Sequence, residues 1–280
     1  MSETTAQPQA YTTVKLDVDD GIGWVTLNRP EKRNAMSPTL NREMISLLDE
    51  IELRDDIGVV VLTGAGESFS AGMDLKEYFR EVEGESPVVQ ARVRRMATDW
   101  MWRKLMHYAK PTIAMVNGWC FGGAFTPLVA CDLAFAADEA QFGLSEINWG
   151  IIPAGNVTRA VAQVMTDRDA LYYIMTGEPF DGQEAARMRL VNRSVPLAEL
   201  RDHVEQVARN LLTKNPTVLR NAKSAFKYVE SMDWSTAEAV LGSMAAATAA
   251  SDPEKGRRKG MAQFLDDKTY KPGLGGYKRD

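Results

Sequence analysis

The feature that most narrows the possible folds is an uncharged stretch at residues 111–131. Its length is about that of a membrane-spanning helix. Glycines and prolines interrupt it, and irregular backbone exposed to lipid would leave polar groups unpaired at a cost of several kcal/mol each. The breaking residues are Pro111, Gly118, Gly122, Gly123 and Pro127. We therefore predict a buried strand, a tight turn and a buried helix here, with no membrane as partner.

Strand and helix patterns alternate along most of the chain. The β-branched run at residues 57–63 is typical of a parallel strand buried on both faces, and it follows a helical pattern at residues 37–53. Residues 12–17 and 23–28 each alternate around a turn, which predicts a hairpin. Further helices are predicted at residues 88–108 and 123–130, and further strands at 112–116, 131–136 and 190–195. This alternation of strands and helices predicts an α/β fold.

Beyond Pro196 the patterns are helical, at residues 200–212, 218–231 and 236–248. No Gly/Ser-rich or Pro-rich linker precedes them. We predict an α/β core at residues 12–196, a helical extension at 197–268, and tails at 1–11 and 269–280. The extension packs either on its own core or on a neighbouring subunit.

Composition excludes several classes of function. The 280 residues carry a net charge of -5, so the overall field repels nucleic acid. The two cysteines, Cys120 and Cys131, show no metal-type spacing with the two histidines, so we expect no metal site. The polar, acidic N-terminal segment lacks the pattern of a secretory signal, and we expect a cytoplasmic protein.

Two glycine-rich turns, at residues 70–75 and 117–124, each follow a predicted strand. Gly123 lies where a helix begins, so its N–H lacks an acceptor within that helix. Two such N–H groups converging on one oxygen would form an oxyanion hole, whose donors are typically worth about 3 kcal/mol each. Two ordinary tight turns would give the same sequence pattern.

Glu146 follows in an apolar and aromatic context, FGLSEINWG. If it is buried there, loss of hydration raises its pKa toward the range that suits proton transfer. A solvated glutamate without a role is the simpler interpretation of the residue taken alone.

Together these segments resemble the crotonase (enoyl-CoA hydratase/isomerase) superfamily over residues 12–267. The ordered motifs that carry the resemblance are Asn28-Arg29-Pro30 with Asn34-Ala35, then residues 70–74, then Asn117-Gly118 with Gly122-Gly123, and finally Phe142-Gly143 with Glu146 and Gly150. Within the superfamily, residues 71–81, 110–123, 142–151 and 263–268 resemble the hydroxycinnamoyl-CoA (feruloyl-CoA) hydratase/lyases.

The resemblance implies a crotonase-like spiral of ββα units with the C-terminal helical extension, assembled as a trimer or a dimer of trimers. It also implies that the N–H groups of Met73 and Gly123 bind a thioester oxygen and that Glu146 is the acid/base. Thr126, a further candidate catalytic residue, stands where hydratases with two carboxylates carry a second glutamate. Its hydroxyl can orient a water but cannot take a proton at neutral pH. The substrate-binding residues would be Ala71, Tyr78 and Trp149, with Lys32 and Arg33 at the coenzyme A phosphates, and Phe264 and Lys268 covering the nucleotide of an adjacent subunit.

The implied reaction hydrates a hydroxycinnamoyl-CoA and then cleaves the product by a retro-aldol step into an aromatic aldehyde and acetyl-CoA. Coenzyme A is part of the substrate, and we expect no separate cofactor. The known hydratase/lyases carry tyrosines shortly after the tryptophan that matches Trp234, whereas Gly242 stands at the apparent tyrosine position here. Tyr78 is then the remaining candidate for binding the hydroxyl on the ring.

Two alternatives stay open at this point. One is an enoyl-CoA hydratase or isomerase that never breaks a carbon–carbon bond. The other is a crotonase-fold module that binds RNA without catalysis, and its support is two basic runs that more often form solvated helix faces. These runs are Arg92, Arg94 and Arg95, and Lys255, Arg257, Arg258 and Lys259.

Overall fold

The computed structural model describes residues 11–271, 273 and 275–279, so parts of the two predicted tails lie outside the described residues. Two sheets form the centre of the molecule. The larger has six strands in the order β1-β2-β3-β5-β7-β10 and the smaller has four in the order β4-β6-β8-β9. The strands are β1 Val14–Asp19, β2 Ile22–Leu27, β3 Val59–Gly64, β4 Ser68–Ser70, β5 Thr112–Val116, β6 Trp119–Phe121, β7 Leu133–Ala137, β8 Gln141–Gly143, β9 Pro179–Asp181 and β10 Arg193–Val195.

Eleven α-helices surround the sheets within the described ranges. They are α1 Pro38–Glu52, α2 Glu81–Glu83, α3 Pro87–Thr98, α4 Phe125–Ala130, α5 Val157–Val164, α6 Asp167–Thr176, α7 Gly182–Arg187, α8 Leu197–Leu212, α9 Pro216–Val229, α10 Trp234–Ser251 and α11 Gly256–Leu265. Two π-helical turns, Leu75–Arg80 and Asp99–Lys104, adjoin α2 and α3. Turns of this kind are rare and often occur at functional sites.

The chain repeats one unit in space. A strand of the larger sheet leads through a short turn into a strand of the smaller sheet, and helices then return the chain to the larger sheet. The pairs β3 with β4, β5 with β6, and β7 with β8 follow this order. Because β3, β5 and β7 are parallel neighbours, as are β4, β6 and β8, the turns within the pairs lie side by side. This repeat confirms the predicted α/β spiral of ββα units.

The predicted long elements are confirmed, with bounds that shift by a few residues. The hairpin is β1 with β2 in antiparallel pairing, and α1 begins after Ser37, whose side chain accepts a hydrogen bond from the Leu40 N–H. The sequence did not predict the three-residue strands of the smaller sheet or the helices α5, α6 and α7.

The helices after Pro196 pack in two ways. Helix α8 lies against the larger sheet, and its Leu200, Val204 and Ala208 belong to the hydrophobic core. Helix α9 is anchored by a buried ion cluster, in which the Nζ atoms of Lys223 and Lys227 lie 2.7 and 2.6 Å from the two carboxylate oxygens of Asp132.

Helix α10 packs on α9, and none of its residues is buried. Its Trp234 is 95% exposed. No helix among the described residues is long and apolar enough to cross a bilayer.

Both cysteines lie in the interior. Cys120 on β6 is fully buried, and Cys131 follows α4 in the core; neither forms a disulfide. Burial raises the pKa of the Cys131 thiol to about 12 and also raises the pKa of the Cys120 thiol.

Candidate active site

A cavity of about 1160 Å³ opens where the loops after β2, β4, β6 and β8 meet. The π-helical turn at Leu75–Arg80 and helix α3 close its other side. Of the residues predicted from sequence, it brings together Lys32, Arg33, Ala71, Met73, Tyr78, Gly123, Glu146 and Trp149.

The first predicted donor is the backbone N–H of Met73, in the loop after β4. Met73 forms an isolated parallel bridge with Met36, in which the Met36 N–H donates to the Gly72 carbonyl at 2.8 Å and the Asp74 N–H to the Met36 carbonyl at 3.1 Å. The backbone N–H and C=O groups of successive residues in a strand point alternately to its two sides. The Met73 N–H therefore faces away from Met36. Within the described part of the chain it has no hydrogen-bond partner.

The second predicted donor is the N–H of Gly123. This residue is the second of the 3-10 turn Gly122–Ala124, which leads into α4. The first N–H groups of a helical turn have no acceptor within it, and the helix dipole places partial positive charge there. Because a Cβ built on Gly123 would lie 3.1 Å from the Cγ of Met73, the two donor residues are direct neighbours.

Glycine at position 72 lets the two loops approach each other. Gly72 has φ +86°, and a Cβ there would lie 2.6 Å from the Phe121 carbonyl oxygen and 3.1 Å from the Gly123 nitrogen. A larger residue would be strained by its φ and would push the loops apart. Glycine is therefore required for the distance between the two N–H groups.

Glu146 lies on the 3-10 turn Ser145–Trp149 and faces the second loop. A Cβ built on Gly122, which has φ +50°, would lie 3.0 Å from its Oε1 atom. Its Oε2 atom is buried and accepts no hydrogen bond from any described residue. Burial raises the pKa of this carboxyl above its ordinary value, although a hydrogen bond from its own backbone N–H acts in the opposite direction.

Other predicted residues lie around this centre. Tyr78 is half-buried in the cavity wall, and burial raises the pKa of its hydroxyl while the positive charge of Arg94 opposes the rise. Trp149 lines the opening and is 67% exposed. Lys32 and Arg33 lie at the rim, and the Arg33 guanidinium sits 5.5 Å from the ring centre of Trp119.

Three predicted residues lie outside the cavity. Thr126 is buried on α4, and its hydroxyl donates to the Gly155 carbonyl at 3.0 Å, so it presents no free proton to the site. Phe264 lines a separate cavity of about 620 Å³ between α9, α11 and the C-terminal segment. Lys268 is exposed beyond α11.

The cavity also contains residues that the sequence analysis did not assign to a substrate site. Trp119 and Phe121 lie on β6. Arg94 lies on α3 and belongs to one of the two basic runs that would support RNA binding. The alternation in Trp119-Cys120-Phe121 was the available signal for two aromatic side chains on one face, and the structure buries Cys120 on the other.

This arrangement can bind a carbonyl oxygen between two N–H groups and can move a proton on the adjacent carbon atoms through one carboxylate. The described residues contain no group of three or more His, Cys, Asp or Glu side chains placed to hold a metal ion.

Comparison with known proteins connects this geometry to a family. The family model described as "Enoyl-CoA hydratase/isomerase" matches residues 17–272. The chain belongs to this family. The match confirms the predicted superfamily and makes the crotonase fold the expected one for the whole matched region.

Individual relatives agree with the family. The chain is 60% identical over 269 residues to a hydroxycinnamoyl-CoA hydratase-lyase from Pseudomonas fluorescens, covering 96% of this chain and 98% of that one. It is 31% identical to a short-chain-enoyl-CoA hydratase from Clostridium acetobutylicum, covering 80% of this chain and 84% of the relative. The crystal structure of an enoyl-CoA hydratase from Bacillus anthracis superposes with a TM-score of 0.82 at 28% identity, over 93% of this chain and 98% of that structure.

Proposed function

We propose that this chain is a hydroxycinnamoyl-CoA hydratase-lyase. It adds water to the double bond of feruloyl-, coumaroyl- or caffeoyl-CoA and cleaves the hydrated thioester into an aromatic aldehyde and acetyl-CoA. The observation that carries the proposal is the Glu146 carboxylate, whose Oε2 atom is buried and accepts no hydrogen bond from a described residue, beside two unpaired backbone N–H groups in one large cavity. The name and the 60% identity of the Pseudomonas fluorescens relative support the same reaction.

In the hydration step, the N–H groups of Met73 and Gly123 donate to the thioester oxygen. The Glu146 carboxylate takes a proton from a water molecule as the water oxygen bonds to the β-carbon, and the electrons of the double bond move toward the thioester to form an enolate. Donors placed for this oxygen stabilise the enolate more than the starting thioester. The protonated Glu146 then delivers its proton to the α-carbon.

In the cleavage step, Glu146 removes the proton of the new β-hydroxyl group. The Cα–Cβ bond breaks, the oxygen forms the aldehyde carbonyl, and the electron pair of the broken bond becomes the enolate of acetyl-CoA. The same two N–H groups hold this enolate, and Glu146 returns the proton to its carbon. The two steps balance with water and one carboxylate, so we propose that no separate cofactor takes part.

The remaining cavity residues fit a large aromatic thioester. We propose that Tyr78 donates a hydrogen bond to the 4-hydroxyl of the ring while Trp149 and Ala71 line the acyl path. Lys32 and Arg33 at the rim are placed to meet the coenzyme A phosphates. Gly242 lies exposed on α10 with no atom near its virtual Cβ, so it adds no partner for the ring within this chain.

We further propose that the chain works as a homo-oligomer, a trimer or dimer of trimers, in the cytoplasm. The apolar, unburied helix α10 supports association. In that assembly Phe264 and Lys268 would reach the nucleotide of a neighbouring subunit. The predicted core at residues 12–196 would then carry out catalysis, and the predicted extension at residues 197–268 would mediate assembly. Helix α8 is an exception, because it packs into the core.

The test is to incubate the protein with feruloyl-, coumaroyl-, caffeoyl- and crotonyl-CoA in parallel and to separate the products. We expect vanillin and acetyl-CoA from feruloyl-CoA. Accumulation of 3-hydroxyacyl-CoA without aldehyde would contradict cleavage and favour a simple hydratase. Salt-dependent RNA binding that survives Glu146→Gln, with no turnover of any thioester, would favour the RNA-binding alternative.

A further inference from the structure

A buried arginine lies behind the wall of the cavity. Arg29 is 8% exposed and directs its guanidinium at three acceptors on two segments. Its Nη1 atom donates to the Ala35 carbonyl at 2.7 Å and to Asp74 Oδ2 at 3.0 Å, and its Nη2 atom donates to Glu77 Oε1 at 2.5 Å. Arg29 does not line the cavity, so it does not touch a substrate there.

One half of this network supports the oxyanion donor. Asp74 directly follows Met73, and Ala35 directly precedes Met36, the residue that pairs with Met73. Arg29 therefore binds both sides of the bridge that directs the Met73 N–H. Burial alone would raise the pKa of the Asp74 carboxyl, but the Glu77 N–H, the Arg29 guanidinium and the Lys76 N–H outweigh it and lower that pKa.

The other half supports the wall of the ring site. Asp74 Oδ1 accepts from the N–H groups of Lys76 and Glu77 at 3.0 and 2.9 Å and so caps the π-helical turn Leu75–Arg80. The Tyr78 N–H donates to the Asp74 carbonyl at 2.9 Å. Since Arg29 also holds Glu77, it fixes the turn at its capping residue, Asp74, and at the residue directly before Tyr78.

We propose that Arg29, through Asp74 and Glu77, is a positioning residue that sets the Met73 N–H and Tyr78 relative to each other. The proposal rests on the proposed function, because it assumes that Met73 binds a thioester oxygen and that Tyr78 meets a phenolic ring. It assigns the two carboxylates different effects: Asp74 acts on the oxygen site, and Glu77 acts on selection of the ring.

Two nearly isosteric variants separate these effects. Asp74→Asn keeps an oxygen that can cap Lys76 and Glu77 but loses the charge that holds Arg29. Glu77→Gln keeps the length of the side chain, which is 36% exposed, and weakens the other contact of Arg29. Arg29→Lys keeps a cation that cannot reach the three acceptors together.

The first readout uses acetoacetyl-CoA, a β-keto thioester whose enolate absorbs in the near ultraviolet. Donors aimed at its thioester oxygen increase the fraction bound as enolate, whether or not the enzyme cleaves aryl substrates. We expect the wild type to enrich the enolate, and Asp74→Asn and Arg29→Lys to lower both that fraction and kcat by about 10- to 100-fold, the scale for an impaired oxyanion donor. KM should change much less, because the lost interaction strengthens in the transition state.

The second readout is the ratio of kcat/KM for feruloyl-CoA to that for crotonyl-CoA. We expect Glu77→Gln to lower this ratio about fivefold, the scale of one neutral hydrogen bond, with a wild-type enolate fraction. Asp132→Asn is the matched control, since it breaks a buried ion pair at α9, away from the cavity. It should lower the melting temperature and leave both readouts unchanged at 25 °C.

The outcomes are separable. A wild type that binds acetoacetyl-CoA as enolate but releases no aldehyde contradicts the proposed function and leaves the role of Arg29 at the oxyanion site standing. A wild type without enolate enrichment, or wild-type enolate fractions in both Asp74→Asn and Arg29→Lys, overturns the positioning role. If Asp74→Asn does not fold, Arg29→Lys tests the effect on the oxyanion site and Glu77→Gln tests the effect on the ring site. An unchanged ratio of kcat/KM values in Glu77→Gln contradicts the effect on the ring site.

Discussion

At the scale of single residues, Glu146 shows how burial can prepare a carboxyl group for proton transfer. Its pKa is raised by loss of hydration, since no described residue donates a hydrogen bond to its buried oxygen. An unpaired buried carboxylate is costly to the fold, and such costs are concentrated at functional sites. We therefore expect Glu146 to support activity while lowering the stability of the folded protein.

Glu146→Gln should lower turnover of feruloyl-CoA by at least about 100-fold, because the amide cannot accept the proton in either step. Affinity for a coenzyme A thioester should remain near that of the wild type, since Gln keeps the size of the side chain. Steady-state kinetics and calorimetric binding of acetyl-CoA measure the two effects. Glu199→Gln, on the exposed first turn of α8, is the control and should behave as the wild type.

The same substitution should stabilise the protein at neutral and alkaline pH. The folded pKa of Glu146 lies above its ordinary value of 4.5, so the protonated form is favoured in the folded state. Stability from this group is fully present below the unfolded pKa and is lost as pH rises through the folded pKa. Melting temperatures of Glu146→Gln and wild type should converge near pH 4 and separate by pH 8, with the variant higher. An unchanged difference across that range would contradict the burial effect.

The sequence was sufficient to select Glu146, Met73 and Gly123 as candidates from ordered motifs and local context, and the structure brings all three to one cavity. The sequence could not show that Thr126 lies outside the cavity, since nothing in it indicates that the Thr126 hydroxyl donates a hydrogen bond to the Gly155 carbonyl on another loop. Nor could it find Arg29 as a network centre. Its partners Asp74 and Glu77 lie more than forty positions away along the chain, and only the parallel sheets bring them near.

At the scale of elements, the site depends on two turns that follow neighbouring strands. The turns after β4 and β6 lie side by side because these strands pair in parallel. Gly72 sets their separation. The positions of the two N–H groups thus depend on the register of the sheet and on a glycine, and not on a chemically reactive side chain.

Gly72→Ala should lower kcat strongly, by at least about tenfold, because the added Cβ would lie 2.6 Å from the Phe121 carbonyl and move one donor away from the other. The positive φ should also cost about 1 kcal/mol of stability. Gly84→Ala is the matched control, since a Cβ there meets no atom within 4 Å and its φ is not positive. Equal kinetics for the two variants would contradict the role of Gly72.

The sequence predicted most of the long elements but not helices α5 and α6. Helix α1 and strands β3 and β5 carry strong periodic or continuous apolar patterns, whereas β4, β6, β8 and β9 have three residues each, too few for a period to show. The π-helical turn Leu75–Arg80 has no sequence signal of its own. Its geometry follows from the Asp74 cap and from the tertiary contact of Arg29.

At the scale of the whole molecule, the C-terminal helices leave apolar surface uncovered. Helix α10 contains one charged residue, Glu238, and buries none of its residues in the single chain. Neighbouring large side chains are also exposed, at Phe226, Tyr228, Met261 and Phe264. Monomeric proteins rarely present apolar patches of this kind, and symmetric self-association is the common way to cover them.

We expect light scattering after gel filtration to give the mass of three or six chains. Leu241→Asp, on the exposed face of α10, should shift the protein toward monomers, because it would bury an unpaired charge in the contact. Leu53→Asp is the control, since Leu53 is 86% exposed between Glu52 and Arg54 and away from α10. A wild-type monomer would contradict the assembly.

The interior location of both cysteine thiols has a practical consequence for an enzyme whose proposed product is an electrophile. Aromatic aldehydes add reversibly to accessible thiolates, yet Cys120 and Cys131 are buried with raised pKa values and offer none. A thiol-specific chromogenic reagent should give no colour with the native protein and two equivalents after guanidinium is added, as expected from the two cysteines in the chain. Addition of vanillin to the two thiols, and their oxidation, should therefore be slow in the folded protein.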